Sequence, residues 1–430
     1  VNEHRFPAVA AAAAHGRILA DNAAGAQLPE PALERVQRYL SHDNAQQGRI
    51  FARTGATTAL VEEAKAEFAA LIDVPAANVG VGANATSIAM SVSRLFASTI
   101  GRGDRIVVTA ADHEANIAPW MWLRRFGAQI DVVPVDDHGD LDEAKFSAFL
   151  ERAPVLVALP WASNATGTVF DVTRLARLAK RARATVVVDG VQAFPHFALE
   201  VDAAVDFAFF SAYKMYGPHL GFWYASTGFL ERYVRPANVE APGGDARYWT
   251  LESGTQNYEG LAGWLGTMAY LREVAAMPRL ALELLARHEI DIASYARAKF
   301  AERAPAVTLY GRPPEFARLP VFAFNIAGIP SEDLGRRFED ARIEARVGNF
   351  YAPRLMAHLA PETGGQAVRL SFAHYNTHAE VDRCFVVIDG ALEALAAARE
   401  LEATSSSESS ESTGTHETTE STDNAEALQY

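Results

Sequence analysis

Cysteine is all but missing: Cys384 is the sole one in 430 residues. That excludes an intramolecular disulfide framework and a cysteine-based zinc site, and no metal site is expected; it suits a reducing compartment or a core large enough to need no staples. Long apolar runs are missing as well. No stretch approaches the roughly 18 residues of a membrane span, and the Ala-rich start, Ala8 to Ala14, lacks the basic n-region with a long apolar stretch of a secretion signal. The expectation is a cytoplasmic chain with no membrane partner. Positive charge is missing from the end: from Glu402 onward there are seven acids and no Lys or Arg, so half of the formal net charge of −14 resides there. An acidic balance of this kind argues against nucleic acid as a partner. The same stretch is rich in Ser and Thr with little to bury, which predicts a disordered acidic tail over 401–430.

What is present is an alternation of short β-rich runs and amphipathic stretches. Asn78 to Val81, Arg105 to Thr109, Ile130 to Val135, Val155 to Leu159, Thr185 to Asp189 and Asp206 to Phe210 read as strands. Thr57 to Ile72, Thr86 to Ser98 and Val172 to Arg183 read as helices between them. Strands separated by helices imply right-handed crossovers and an α/β fold with a mostly parallel sheet covered on both faces. Ligands then bind beyond the carboxyl ends of the strands. After Pro242-Gly243-Gly244 the pattern changes to long helices, Glu259 to Val274 and Arg279 to Arg303, and then to mixed elements. The division expected is an N-terminal arm (1–20) packing with a small domain, a large cofactor-binding domain (21–255), that smaller α+β C-terminal domain (256–400), and the tail.

The run Val186-Val187-Val188-Asp189 is a buried strand ending on an acid, and Asp206 to Phe210 leads into Ser211-Ala212-Tyr213-Lys214. Taken singly, the acid is often a turn former and the lysine a solvated charge. Together they suit pyridoxal 5′-phosphate, which needs an amine for its aldehyde and an acid for its pyridine nitrogen. Gln192 stands where it could donate to the ring's phenolate oxygen. A phosphate needs donors at a helix N-terminus, and Gly80-Val81-Gly82-Ala83-Asn84-Ala85-Thr86-Ser87 offers a strand, a glycine turn and a helix start, with Ala85 and Thr86 as the cradle. A dinucleotide fingerprint fails there, because Ala85 occupies the place of its third glycine.

Asp189-x-x-Gln192 followed by Ser211-x-x-Lys214-x-x-Gly217-Pro218 resembles the class V aminotransferase superfamily, in its cysteine desulfurase branch. The resemblance implies a fold-type I enzyme with a seven-stranded sheet, acting as a homodimer with shared active sites on a small amino acid. It implies that Lys214 carries the cofactor, that His113 in Asp112-His113-Glu114 lies on the pyridine face, and that Asn164, Ser211 and Tyr213 join the cofactor site. It further implies that Thr255 in Glu252-Ser253-Gly254-Thr255 reaches the phosphate of the neighbouring subunit, and that Arg369 in Val368-Arg369-Leu370-Ser371 binds the substrate carboxylate, beside Asn164.

Two departures stand out. The branch's loop cysteine, which takes sulfur as a persulfide, aligns with Tyr351 in Arg346 to Pro353, and Cys384 falls on the apolar side of a helical pattern, where core packing accounts for it. Tyr213 stands where many relatives have histidine. The expected reaction is therefore a lyase elimination of a β-substituent, with C–S cleavage and with Lys214 as proton-transfer base. Alternatives are transamination, epimerisation with Tyr351 as an acid opposite Lys214, or a binding protein without turnover.

Overall fold

The computed structural model describes residues 3–234, 251–313 and 315–411. The Pro242-Gly243-Gly244 boundary and the tail from 412 onward lie outside the described residues. Two short strands pair in parallel, β1 (Ile18–Leu19) with β11 (Ile343–Glu344). The large sheet holds β2 (Val79–Gly82), β3 (Arg105–Thr109), β4 (Gln129–Val133), β5 (Leu156–Pro160), β6 (Thr185–Asp189), β7 (Phe207–Ser211) and β8 (Gly221–Ala225). Its order is β2-β8-β7-β6-β5-β3-β4, seven strands. From β7 to β4 every neighbour is parallel, while β8 runs antiparallel to both β7 and β2. Those two reversals cancel, so β2 ends at the same edge as β3, β5, β6 and β7.

The central strands are apolar throughout because both faces are covered. Side chains alternate across a strand, and here the alternation sorts them into two cores. Val157, Leu159, Val186, Val188, Ala208 and Phe210 join one cluster. Leu156, Ala158, Val187, Phe207 and Phe209, their neighbours in sequence, join the other. Fully burying a Val, Leu or Phe side chain contributes about 1.5–3 kcal/mol, so register in this sheet is strongly specified. One residue of slip would put each set on the wrong face.

A second sheet is made of β9 (Val307–Leu309), β10 (Val321–Ile326), β12 (Arg346–Gly348) and β13 (Ala367–Ser371), in the antiparallel order β12-β13-β10-β9. It packs with the helices Pro278–Ala301, Ser331–Asp340 and His378–Glu411 around a third apolar cluster that includes Ile18, Ala20 and Cys384. The N-terminal arm is tied here through β1 and through Asn22, whose side chain donates to the Ser371 carbonyl at 2.9 Å. Helix His378–Glu411 enters the stretch for which the sequence predicts disorder. Ala396 to Ala398 and Glu400 to Ala403 are good helix formers, and they prolong a helix already nucleated by packing.

Strand bounds fall within about two residues of the sequence expectation, the scatter usual at element ends. The expectation omits β8, the strand that reverses direction. No helix among the described residues is long and apolar enough to cross a membrane.

Candidate active site

The carboxyl ends of β2, β3, β5, β6 and β7 converge on a cavity of about 170 Å³, which opens into a vestibule of about 780 Å³. Lys214 follows β7 on a single 3-10 turn, and Asp189 closes β6. Both are buried. Burial, aided by the Arg369 guanidinium, lowers the Lys214 amine to about 8 against the pull of Asp189 and Asp21. Burial raises the Asp189 carboxyl to about 6, although the Val191 N–H, donating at 2.9 Å, and Lys214 oppose the rise. The turn after Asp189 requires glycine: a Cβ on Gly190 would stand 2.2 Å from the Phe210 ring.

His113 lines both chambers. It sits on a rigid turn, where the buried Asp112 carboxylate accepts from Thr109 Oγ1 at 2.7 Å and Asn116 Nδ2 at 2.9 Å. Burial pushes the Asp112 carboxyl well above the usual range. The Ala115 N–H donates to His113 Nδ1 at 3.0 Å, so the neutral ring carries its proton on Nε2. Burial, with Lys214 and Arg369 nearby, lowers this imidazole to about 4. It is uncharged at neutral pH.

Ala85 and Thr86 open the helix Ala85–Ala97 on the cavity wall. The Asn84 side chain caps that helix by accepting from Ser87 N at 2.8 Å. The amides of Ala85 and Thr86 lie in the first turn, where no intrahelical acceptor is available. Glycine is required opposite them as well, since a Cβ on Gly221 would lie 2.8 Å from the Asn84 carbonyl carbon. Ser211, Tyr213, Asn164 and Gln192 complete the inner lining. The Tyr213 ring stacks on His219 with centroids 5.0 Å apart, and burial and Asp189 together raise its phenol.

Arg369 stands on β13 at the vestibule wall and is buried. One of its terminal nitrogens donates to Asp21 Oδ1 at 2.8 Å and the other to the Asn164 carbonyl at 2.9 Å. Its guanidinium carbon lies 4.9 Å from the Phe350 ring centroid. Asn164 Nδ2 donates to the Phe350 carbonyl at 2.7 Å. Phe350 and Tyr351 both have positive φ, 58° and 56°, a conformation costly for aromatic residues and held by these contacts. The Tyr351 carbonyl accepts from Glu114 N at 2.7 Å, and its ring lies 5.6 Å from His113. Tyr351 is 74% exposed, a rim residue.

Of the residues singled out in the sequence, Thr255 alone lines neither chamber; it is exposed. Sequence reasoning missed Asp21, which carries no local signal and acquires its position only because the segment after β1 bridges the end of β13, Asp21 pairing with Ser371. The set suits pyridoxal phosphate. A buried amine of lowered basicity, a buried acid and a helix N-terminus surround one cavity, and Arg369 Nε and Asn164 Oδ1 are buried without a partner among the described residues.

A family model described as aminotransferase class-V matches residues 18–384. The chain is 32% identical over 380 residues to a cysteine desulfurase of Enterobacter sp. (strain 638), covering 84% of this chain and 90% of that one. It is 30% identical over 377 residues to a probable cysteine desulfurase of Mycolicibacterium paratuberculosis (strain ATCC BAA-968 / K-10), covering 84% of this chain but 53% of that protein, so it spans about half of that relative's length. Among solved structures, a cysteine desulfurase of Escherichia coli matches with a TM-score of 0.77 at 26% identity, over 91% of this chain and 97% of the other. One from Thermococcus onnurineus NA1 shares the fold, with a TM-score of 0.80 at 24% identity over 91% and 97%.

Proposed function

The chain belongs to the class-V aminotransferase family, whose cofactor is pyridoxal 5′-phosphate, and from that premise we propose that it is a desulfurase-like lyase that removes a β-substituent from a small α-amino acid without a persulfide-carrying cysteine. One observation carries the reading. Lys214, Asp189 and His113 line the cavity, Arg369 lines the vestibule it opens into, and Tyr351 stands at that vestibule's rim, while the only thiol, Cys384, is sealed in a separate apolar cluster.

Bound in this cavity, pyridoxal phosphate supplies an aldehyde that condenses with amines and a ring that draws electrons from the bond being broken. Lys214 Nζ would hold it covalently, with Asp189 facing the ring nitrogen and the neutral His113 ring on one face. The Ala85 and Thr86 amides, with the hydroxyls of Ser211 and Tyr213, would take the phosphate, joined by Thr255 from the second copy in a homodimer. Arg369 would hold the substrate carboxylate through paired hydrogen bonds. Lys214, lowered to about 8, is neutral often enough near physiological pH to take the α-proton as general base. A β-thiolate then leaves into the vestibule with no protein thiol to receive it. For cysteine the balance is cysteine plus water giving pyruvate, ammonia and hydrogen sulfide.

The test is product analysis with the cofactor-loaded enzyme on L-cysteine and L-cystine, with Lys214→Ala as control. Pyruvate and ammonia are expected, absent from the control. Clean conversion to alanine with sulfur left on the protein would overturn the proposal.

A further inference from the structure

β12 and β13 run antiparallel, and their register sets Arg346 directly opposite Arg369. Directly opposed residues stand about 4.5–5.5 Å apart at Cα and project to the same face of a sheet. Both side chains line the vestibule. Asp21 joins them: its Oδ1 accepts from Arg369 at 2.8 Å, and its Oδ2 lies 2.7 Å from a terminal nitrogen of Arg346. The two guanidiniums differ in exposure. The Arg369 side chain is 3% exposed, whereas that of Arg346 is 52% exposed and has Asp21 as its only ion-pair partner among the described residues.

One carboxylate serving two guanidiniums leaves one positive charge over, because a guanidinium keeps its proton in proteins. The acid on the vestibule wall, Glu114, is already paired with Arg354, and Lys214 is faced by Asp189. An amino acid with an uncharged side chain arrives as a zwitterion of no net charge and leaves the excess in place. One whose side chain ends in an acid brings a single negative charge and cancels it. Charge complementarity of this kind selects between ligands of similar shape. Reach agrees with charge. Both guanidiniums touch one carboxylate, so the two ends of a short dicarboxylic amino acid can meet them together, and a vestibule of about 780 Å³ holds a β-substituent larger than a thiol.

We propose that Arg346 is a specificity-determining residue that binds an acid at the end of the β-substituent, which makes the substrate class an amino acid with a carboxylate on its leaving group. The proposal rests on the lyase reading, with Arg369 on the α-carboxylate. Lys214 takes the α-proton, the bond from the β-carbon to sulfur breaks with its electron pair going to sulfur, and Arg346 faces the acid of the departing thiolate. For S-carboxymethyl-L-cysteine the balance is substrate plus water giving pyruvate, ammonia and mercaptoacetate.

The test compares two thioethers of nearly the same shape on the cofactor-loaded enzyme: S-carboxymethyl-L-cysteine and its neutral amide, S-carbamoylmethyl-L-cysteine. The acid is expected to have a kcat/KM about tenfold higher, the low end for a hydrogen bond to a charged group, with the difference in KM. Arg346→Gln should bring the ratio close to one, and Arg346→Lys should keep part of it. Both substrates share the α-carboxylate, so any disturbance of Arg369 through Asp21 cancels in the ratio. Calorimetric binding of glutarate against its monoamide, glutaramate, reads the same preference without turnover, and Arg346→Gln should abolish it. Equal use of the two thioethers by the parental enzyme, or a preference that survives Arg346→Gln, overturns the proposal. If neither thioether yields pyruvate while glutarate is still preferred through Arg346, the lyase reading fails and the acid-binding role of Arg346 stands apart from it.

Discussion

Arg369 and Asp21 meet at 2.8 Å, a guanidinium and a carboxylate joined across 348 residues of sequence. Asp21 also holds Arg346 at 2.7 Å. Its carboxylate thus keeps the Arg369 plane in place while leaving Nε without a partner among the described residues. If Arg369 is the substrate anchor, Arg369→Ala is expected to lower kcat/KM by roughly 100-fold, mainly through KM, as loss of one partner of a buried charge pair costs about 2–5 kcal/mol. Arg369→Lys should recover little, because an ammonium cannot hold Asp21, the Asn164 carbonyl and a carboxylate in one plane. A kcat loss with KM unchanged would count against the anchor.

Cys384 is fully buried in the apolar cluster of the second sheet, and that burial pushes its thiol far up. Native protein is expected to resist iodoacetamide and to take up a single alkyl group only after denaturation, read by intact mass. Tyr351→Cys, at an exposed rim position, should be alkylated natively. Rapid native alkylation of the parental chain would remove the argument that its thiol is out of reach.

His374 is buried, and burial lowers its imidazole from 6.5 to about 3. The unfolded chain therefore takes up this proton first as the pH falls. The associated stability is complete above pH 6.5 and drains away toward pH 3; by pH 5 this group alone accounts for a loss of about 2 kcal/mol. His113, lowered to about 4, acts with the same sign. Urea unfolding of the cofactor-free protein near pH 7 and near pH 5 checks the difference, and His374→Phe should flatten it.

Gly190→Ala would drive a methyl group into the Phe210 ring. The expected cost is about 1–3 kcal/mol of stability from overpacking, accompanied by weaker retention of pyridoxal phosphate because Asp189 is the adjoining residue. Equilibrium unfolding and a cofactor titration read the two effects separately.

Asp189 and Lys214 are legible in the sequence because each ends a run too apolar to be anything but a buried strand, and parallel strands bring such ends to one edge. The Ala85–Thr86 helix start is legible for the same reason. The loop at Phe350 and Tyr351 is found through resemblance alone, since nothing in its composition announces two consecutive left-handed residues. Asp21 and its pairing with Arg346 are silent in the sequence. Such roles arise from contacts between distant segments, 348 residues apart for Asp21 and Arg369, and no local pattern encodes such a meeting. The direction of β8 is invisible likewise, because a strand buried on both faces reads the same whichever way it runs.

The bond between Asp21 and Arg369 also gives the cavity a birth order. The ribosome releases His113, Asp189 and Lys214 together with the large sheet, before β13 has been made. At ~5–20 residues per second the interval between the lysine and the guanidinium lasts on the order of ten seconds. During it a nascent chain carries the amine without the arginine, so on the proposed roles the group that would capture a cofactor is made before the group that would choose a substrate.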